Sequence, residues 1–227
     1  MKHISVLTGA GISAESGVKT FRDHDGLWEG HDVMQVATPQ GFEQNPKLVL
    51  DFYNQRRKQL KSVLPNQAHK LLVDLEKQYK VDIITQNVDD LHERAGSSSI
   101  THLHGELMKA RSVKDESLIY DWTEDILPGH VNEEEHQLRP HVVWFGEAVP
   151  MMDKAIDIIK KTDIIIIVGT SMQVYPAAGL IDFAPEHTPI YFVDPDPSIS
   201  ESNSINIIAE KATTGVEKVV KKLLDLS

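Results

Sequence analysis

Apolar positions along the chain alternate between two spacings, and the alternation predicts strands followed by helices. Residues 4–8 form a β-branched, apolar run that stops at Gly9-Ala10-Gly11. This is the pattern of a buried strand feeding a turn, with a helix expected to open within residues 13–16. Residues 46–60 carry Leu48, Val49, Phe52 and Leu60 at helical spacing, and residues 67–79 place Leu71, Leu72 and Leu75 on one face. Residues 81–85 and 100–103 read as short strands. Between them, residues 90–95 read as a short helix closed by Gly96. Residues 142–145 look extended, and 152–161 read as a helix. The apolar run at 163–168 is nearly unbroken, as in a strand buried on both faces. Residues 190–193 read as a strand and 217–226 as an amphipathic closing helix. Residues 108–139 are polar without a clear period, so an irregular, solvent-facing insert is expected there. The alternation implies an α/β fold, a parallel sheet with helices on both faces.

Composition narrows the picture. A chain of 227 residues is long enough for one domain, or for a main domain with a smaller insert. It has no cysteine, which excludes disulfides, thiolate zinc, iron–sulfur clusters and a cysteine nucleophile. The first residues lack the apolar length and cleavage pattern of a leader. The longest apolar stretch, 164–168, is far short of a membrane span. A cytoplasmic protein without membrane contact is therefore expected. The formal net charge of −11 argues against nucleic acid as partner, since phosphate binding needs a basic footprint. Residues 114–136 hold eight acidic side chains against one lysine, as on a solvated surface.

The chemistry begins at Gly9-x-Gly11-x-x-Ala14, a dinucleotide-type turn between a strand and an expected helix. Its glycines permit a tight turn and close approach of a phosphate, and a helix N-terminus would face the pyrophosphate. The ribose-binding acid of a hydride-transferring dehydrogenase, about 20 residues on, is missing. That position falls in residues 20–28, which read as a loop.

Five blocks then appear in order: Gly9-Ala10-Gly11-Ile12-Ser13-Ala14-Glu15-Ser16-Gly17 with Thr20-Phe21-Arg22; Thr85-Gln86-Asn87-Val88-Asp89-Asp90-Leu91-His92; His104-Gly105-Glu106; Arg139-Pro140-His141-Val142-Val143-Trp144-Phe145-Gly146-Glu147; and Gly169-Thr170-Ser171. Together they resemble the signature of the sirtuins. Phe52-Tyr53-Asn54-Gln55-Arg56-Arg57 resembles the branch of that family that removes succinyl and malonyl groups. Tyr53 and Arg56 are three apart and would share a helix face, where a phenol and a guanidinium could hold a carboxylate.

The resemblance implies one catalytic unit over residues 1–227. Its large Rossmann-like part would comprise about 1–24, 61–106 and 145–227, and its smaller inserted part about 25–60 and 107–144. The implied reaction consumes NAD and moves an acyl group (acetyl, and succinyl or malonyl) from a protein lysine to ADP-ribose, releasing nicotinamide. The implied partners are acylated lysines in protein substrates, and a monomer is expected. His104 would be the general base, and Asn87 would order the ribose or a water. Gln86, Val88 and Asp89 would line the nicotinamide–ribose pocket, with Gly9, Ala10, Gly11, Glu15, Phe21, Arg22 and Trp28 around the cofactor. Gly169, Thr170 and Ser171 would close the site at a strand end. Asp194, Asp196 and Ala212 would serve the adenosine end. Val143, Phe145, Gly146 and Glu147 would pair with the substrate backbone as an added strand. His102 is set aside as the base on its spacing. The family's four zinc cysteines are absent: Ser112 stands near the first, and His130 and His136 match no standard metal spacing, so no zinc is expected. Three rivals remain open: an NAD-dependent protein ADP-ribosyltransferase, a nucleotide-sensing module without turnover, and a dehydrogenase.

Overall fold

The structure, a computed structural model, describes residues 1–19, 27–202 and 204–225. Six strands build one parallel sheet: β1 (His3–Thr8), β4 (Lys80–Thr85), β5 (Ile100–His102), β9 (Ile164–Val168), β10 (Ile190–Val193) and β11 (Ile205–Ile208). Their order across the sheet is β11-β10-β9-β1-β4-β5. The chain thus builds outward from β1 on one side and then returns to build outward from β9 on the other. This is the doubly wound, Rossmann-like order, and its switch point lies between β1 and β9.

Alternate strand residues feed two cores. Ile4, Val6, Ile83, Ile166 and Val168 pack against Leu72 and Leu75 of α4 (Gln67–Leu75) and against Val216, Val219 and Leu223 of α7 (Ala212–Asp225). Leu7, Ile84, Ile165 and Ile167 face Ala155 and Ile159 of α6 (Met152–Ile159), and Leu180 of a 3-10 helix at Ala177–Phe183. Both faces of the sheet are covered, which is why β9 reads as an unbroken apolar run. Asn66 caps α4, and its side-chain amide also donates to the Ile12 carbonyl (2.8 Å) and to Ser16 (3.0 Å). The turn after β1 is thereby tied to the helix layer beneath it.

Three expectations are corrected. Residues 108–139 are not an irregular insert. Strands β6 (Gly105–Ser112), β7 (Ile119–Asp121) and β8 (Leu138–Val142) form an antiparallel sheet in the order β7-β6-β8. The strands are short and joined by polar loops, so no period-2 stretch stands out, yet Leu50, Ala110, Ile126 and Leu138 make a core of their own. Second, the segment after the glycine turn is a 3-10 helix, Ala10–Ser16, ended by left-handed Gly17. A short 3-10 helix supplies less aligned dipole than the helix expected there. Third, β8 stops at Val142, so residues 143–145 lie beyond the strand.

The remaining elements flank the small sheet. The hairpin β2 (Leu27–Trp28) and β3 (His31–Asp32) leads into α1 (Val33–Val36), α2 (Pro39–Gln44) and α3 (Pro46–Ser62). Thr38 before Pro39 is a helix-start signal, and its hydroxyl accepts from Gly41 N at 2.9 Å. Helix α5 (Leu91–Ala95) follows β4 and ends at left-handed Gly96, as expected.

Asn54 of α3 pins the small sheet. Its amide donates to the Ile126 carbonyl (2.9 Å), and its side-chain oxygen accepts from Ile126 N (2.9 Å) and from Arg57 (2.8 Å). Arg57, 1% exposed, also donates to the Leu107 carbonyl at 3.1 Å. Ser112, near the expected place of a zinc ligand, instead accepts from Lys114 N and Asp115 N to close a turn. No helix among the described residues is long and apolar enough to cross a membrane.

Candidate active site

The switch point is where two loops touch. Gly11 N donates to the Gly169 carbonyl at 2.8 Å, and Gly9 N donates to Val168 O at 3.1 Å. A side chain at Gly169, whose φ is +63°, would lie 2.3 Å from Ile12 N, and one at Gly11 would lie 2.5 Å from the Gly169 Cα. Only glycine allows both this backbone and this approach. The strand ends of β1, β4 and β9 therefore converge on one cleft of about 320 Å3.

Among the described residues, this cleft collects most of the positions read from the sequence. Its walls include Gly9, Ala10, Gly11, Trp28, Gln86, Asn87, Val88, Asp89, His104, Gly169, Thr170 and Ser171, together with Tyr53, Arg56, Val143, Phe145, Gly146 and Glu147. Phe21 and Arg22 lie outside the described residues.

Four positions do not line it. Glu15 caps α7: its carboxylate accepts from Thr213 N (2.9 Å) and from the Thr213 hydroxyl (3.0 Å). Ala212 opens that same helix. Asp194, 1% exposed at the end of β10, accepts from Asp196 N at 2.9 Å in a turn.

His104 sits between β5 and β6, and its Nδ1 is 3.1 Å from the Gln86 carbonyl. A carbonyl only accepts, so Nδ1 carries the hydrogen and Nε2 presents its lone pair. Burial holds the imidazole below its ordinary pKa, partly opposed by that carbonyl. The ring is thus neutral near pH 7, the state a base needs. Gly105 follows with φ +80°, and a Cβ there would be 2.1 Å from the His141 carbonyl. The contact between β6 and β8 thereby sets the backbone that aims His104.

Spacing does not separate His102 from His104, because residues two apart on a strand share a face. Hydrogen bonding does. His102 is bonded through Nδ1 to the Asn87 carbonyl (2.9 Å) and through Nε2 to Glu93 (2.7 Å). Both partners are acceptors, so both nitrogens carry hydrogen. Burial works to lower its pKa, but Glu93 prevails and raises it. With both nitrogens bonded to acceptors, His102 has no free lone pair with which to take a proton.

Asn87 and Asp89 are joined by a residue the sequence reading left without a role. Ser13, fully buried, donates to Asp89 at 2.9 Å and accepts from the Asn87 amide at 3.3 Å. Its only signal in the sequence is its place in the first of the five blocks that resemble the sirtuin signature. Burial raises the Asp89 pKa, opposed by the bonds from Ser13 and Leu91 N. Gln86 donates to Thr170 at 3.1 Å, bridging the ends of β4 and β9.

On the opposite wall, the Tyr53 hydroxyl accepts from the Trp144 indole at 3.0 Å. The Arg56 guanidinium stacks 3.5 Å from the Phe52 ring centroid, donates to the Phe52 carbonyl (2.6 Å) and lies 3.9 Å from Glu29. Its buried Nε has no hydrogen-bond partner among the described residues.

The expected added strand finds few donors. The amides of Val143, Phe145 and Glu147 donate to His104 O (2.9 Å), Ala37 O (2.9 Å) and Trp144 O (3.0 Å). The Glu147 carboxylate is bound to Arg139 (2.6 Å) and Arg111 (3.0 Å). What remains for a peptide there is the Gly146 amide and the outward carbonyls.

A doubly wound sheet with a glycine turn and a neutral histidine at its switch point belongs to the Rossmann-like nucleotide-binding class. The Sir2 family model matches residues 9–176, and the chain belongs to the Sir2 family. A Helicobacter pylori protein is 54% identical over 228 residues, covering 100% of both chains, and a Bacteroides thetaiotaomicron protein is 49% identical over 231 residues, covering 99% of each. Both are named NAD-dependent protein deacylase. A solved Sir2 homologue mutant in complex with ADP-ribose aligns with TM-score 0.88 at 36% identity, covering 100% of this chain and 94% of that one. A Sir2 homologue–NAD complex aligns at 0.87 and 35%, covering 99% and 90%.

Proposed function

We propose that the protein removes acyl groups from protein lysine side chains in an NAD-consuming reaction, and that its acyl pocket favours groups ending in a carboxylate. The observation that carries this reading is one cleft with a neutral, buried histidine on one wall and a phenol and a guanidinium on another. Relatives named as NAD-dependent protein deacylases at about half identity over the full chain support the reaction class. So does a Sir2 structure holding 2′-O-acetyl-ADP-ribose and a deacetylated peptide, 27% identical with TM-score 0.78.

The residues present suit NAD. The glycine contact between the loops after β1 and β9 brings backbone close to where a pyrophosphate would lie, and Gln86, Asn87 and Asp89 offer polar groups for ribose and amide. Bound there, NAD would supply a ribose carbon that the substrate's acyl oxygen could attack as nicotinamide leaves, with water later taking that oxygen's place. Asp89 accepts from the carboxamide and Asn87 orders the ribose or a water. Nε2 of His104 would take a proton from a ribose hydroxyl, and that oxygen would add to the acyl carbon, from which the lysine amine then leaves, so that the acyl group ends on ADP-ribose. The acyl lysine enters between Val143–Gly146 and the loop after β9. Its tail reaches Tyr53 and Arg56, where a carboxylate replaces the distant Glu29 as the partner of the guanidinium.

The test is to incubate the protein with NAD and acetyl- or succinyl-lysine peptides and follow both by mass spectrometry. The proposal expects acyl loss only with NAD, none in His104→Ala, and loss of desuccinylation but not deacetylation in Arg56→Met. If only acetyl is removed and Arg56→Met changes nothing, the carboxylate preference fails. If the protein or peptide gains the mass of ADP-ribose while no acyl group leaves, the reaction is ADP-ribosyl transfer instead.

A further inference from the structure

We infer that Trp144 is a positioning residue: its indole N–H, braced by the Glu147–Arg139 ion pair, turns the Tyr53 hydroxyl into an obligate donor toward the acyl tail. The inference deepens the carboxylate preference proposed above and rests on it. Three observations lead to it.

First, the direction of the bond is set by chemistry. An indole N–H can only donate, so at 3.0 Å the Tyr53 oxygen must accept. Its own hydrogen then points elsewhere, and no acceptor for it exists among the described residues. Tyr53 is 1% and Trp144 2% exposed, so water does not compete freely for that hydrogen. A buried hydroxyl held this way rewards a ligand that accepts and penalises one that does not.

Second, Trp144 has little freedom. Its backbone N–H donates to Glu147 at 2.8 Å. The same carboxylate takes both terminal nitrogens of Arg139, at 2.6 and 3.1 Å. The Arg139 guanidinium lies 3.2 Å from the indole centroid. One carboxylate therefore anchors both the main chain of Trp144 and the cation on its ring. A cation over the face of an indole draws electron density toward itself, which strengthens the ring N–H as a donor.

Third, the brace is built as a unit. Arg139 also donates to the Val142 carbonyl at 2.8 Å, and Arg111 adds a second cation to Glu147. Arg139, Val142, Trp144 and Glu147 all lie within residues 139–147, so the end of β8 and the turn after it carry both the core of the brace and one wall of the acyl pocket.

The experiment compares wild type, Trp144→Phe, Tyr53→Phe and the double variant on succinyl- and acetyl-lysine peptides with saturating NAD. Phenylalanine keeps an aromatic ring at position 144 and removes the donor along with part of the indole's volume, so the acetyl peptide serves as the control for lost packing. The ratio of kcat/KM for succinyl over acetyl is expected to fall about tenfold in each single variant, the size of one hydrogen bond to a charged group. The loss should sit in KM for the succinyl peptide. The double variant should lose no more than Tyr53→Phe alone, because Trp144 acts on the acyl tail only through the Tyr53 hydroxyl. In protein labelled with 15N-tryptophan, which has three indole signals, Trp144→Phe identifies the Trp144 resonance, and Tyr53→Phe should move it upfield. Equal losses on both peptides, multiplying losses in the double variant, or an unmoved indole signal would overturn the inference while leaving the carboxylate preference standing. A wild type that does not prefer succinyl over acetyl would overturn the preference itself, and the inference with it.

Discussion

The Nδ1 of His104 is 3.1 Å from the carbonyl oxygen of Gln86, and this contact leaves its Nε2 with a free lone pair, whereas both nitrogens of His102, two residues away, are bonded to acceptors. The Gln86 carbonyl selects the tautomer, and burial keeps the ring uncharged.

The acid limb of the pH–rate profile should reflect that. A base whose pKa is depressed stays competent at lower pH, so kcat/KM should fall with a midpoint below pH 6.5, the ordinary histidine value. His104→Ala should lose about 100- to 10,000-fold in rate with its melting temperature little changed. A limb centred at or above pH 6.5 would show that another group is titrating.

Gly105→Ala should damage both activity and fold. The added methyl meets the His141 carbonyl at 2.1 Å in a left-handed backbone. Together these should cost about 2 kcal/mol or more, and relief by backbone movement would swing His104 away from the Gln86 carbonyl. Urea melts and rates of this variant check both. Wild-type activity in Gly105→Ala would contradict the role given to the β6–β8 contact.

The small sheet is held by packing and by the Asn54 pin. Asn54→Leu should destabilise the protein by about 2–4 kcal/mol, since Ile126 N, Ile126 O and Arg57 would all lose partners while buried. Incubation with excess chelator should leave the wild-type melting temperature where it was. A fall on chelation would reveal a structural metal held by non-thiolate ligands.

Acid should destabilise the fold through two histidines behind the cleft. Burial lowers the pKa of His69 to about 4 and that of His92 well below its ordinary value. Their rings meet edge to face with centroids 5.0 Å apart. The unfolded chain takes up their protons near pH 6.5, whereas the folded one does not until much lower. Stability from this source is therefore whole above pH 6.5 and drains away as pH falls toward 4. For His69 this amounts to about 3 kcal/mol. Unfolding free energies at pH 7 and 4.5, in wild type and His69→Gln, measure it. The idea is sunk if the variant is as acid-sensitive as the wild type.

The chain by itself determined the family, the parallel sheet and most of the residues that gather in the cleft. These are legible because glycine turns, strand runs buried on both faces and helix caps are local. They announce themselves in a few consecutive residues, such as Gly9-Ala10-Gly11 or Ile164–Val168. Tertiary structure alone decided which nitrogen of His104 is free, because the Gln86 carbonyl that selects it is 18 residues away. It also turned the unpatterned stretch around Ile119–Asp121 into a sheet, through pairing with β6 and the pin from Asn54, 72 residues from Ile126. It took Glu15 from the cofactor to the cap of α7, 198 residues on, and Glu147 from the substrate to Arg139 and Arg111. A carboxylate's partner depends on what the fold brings within 3 Å, and no spacing along the chain encodes that distance.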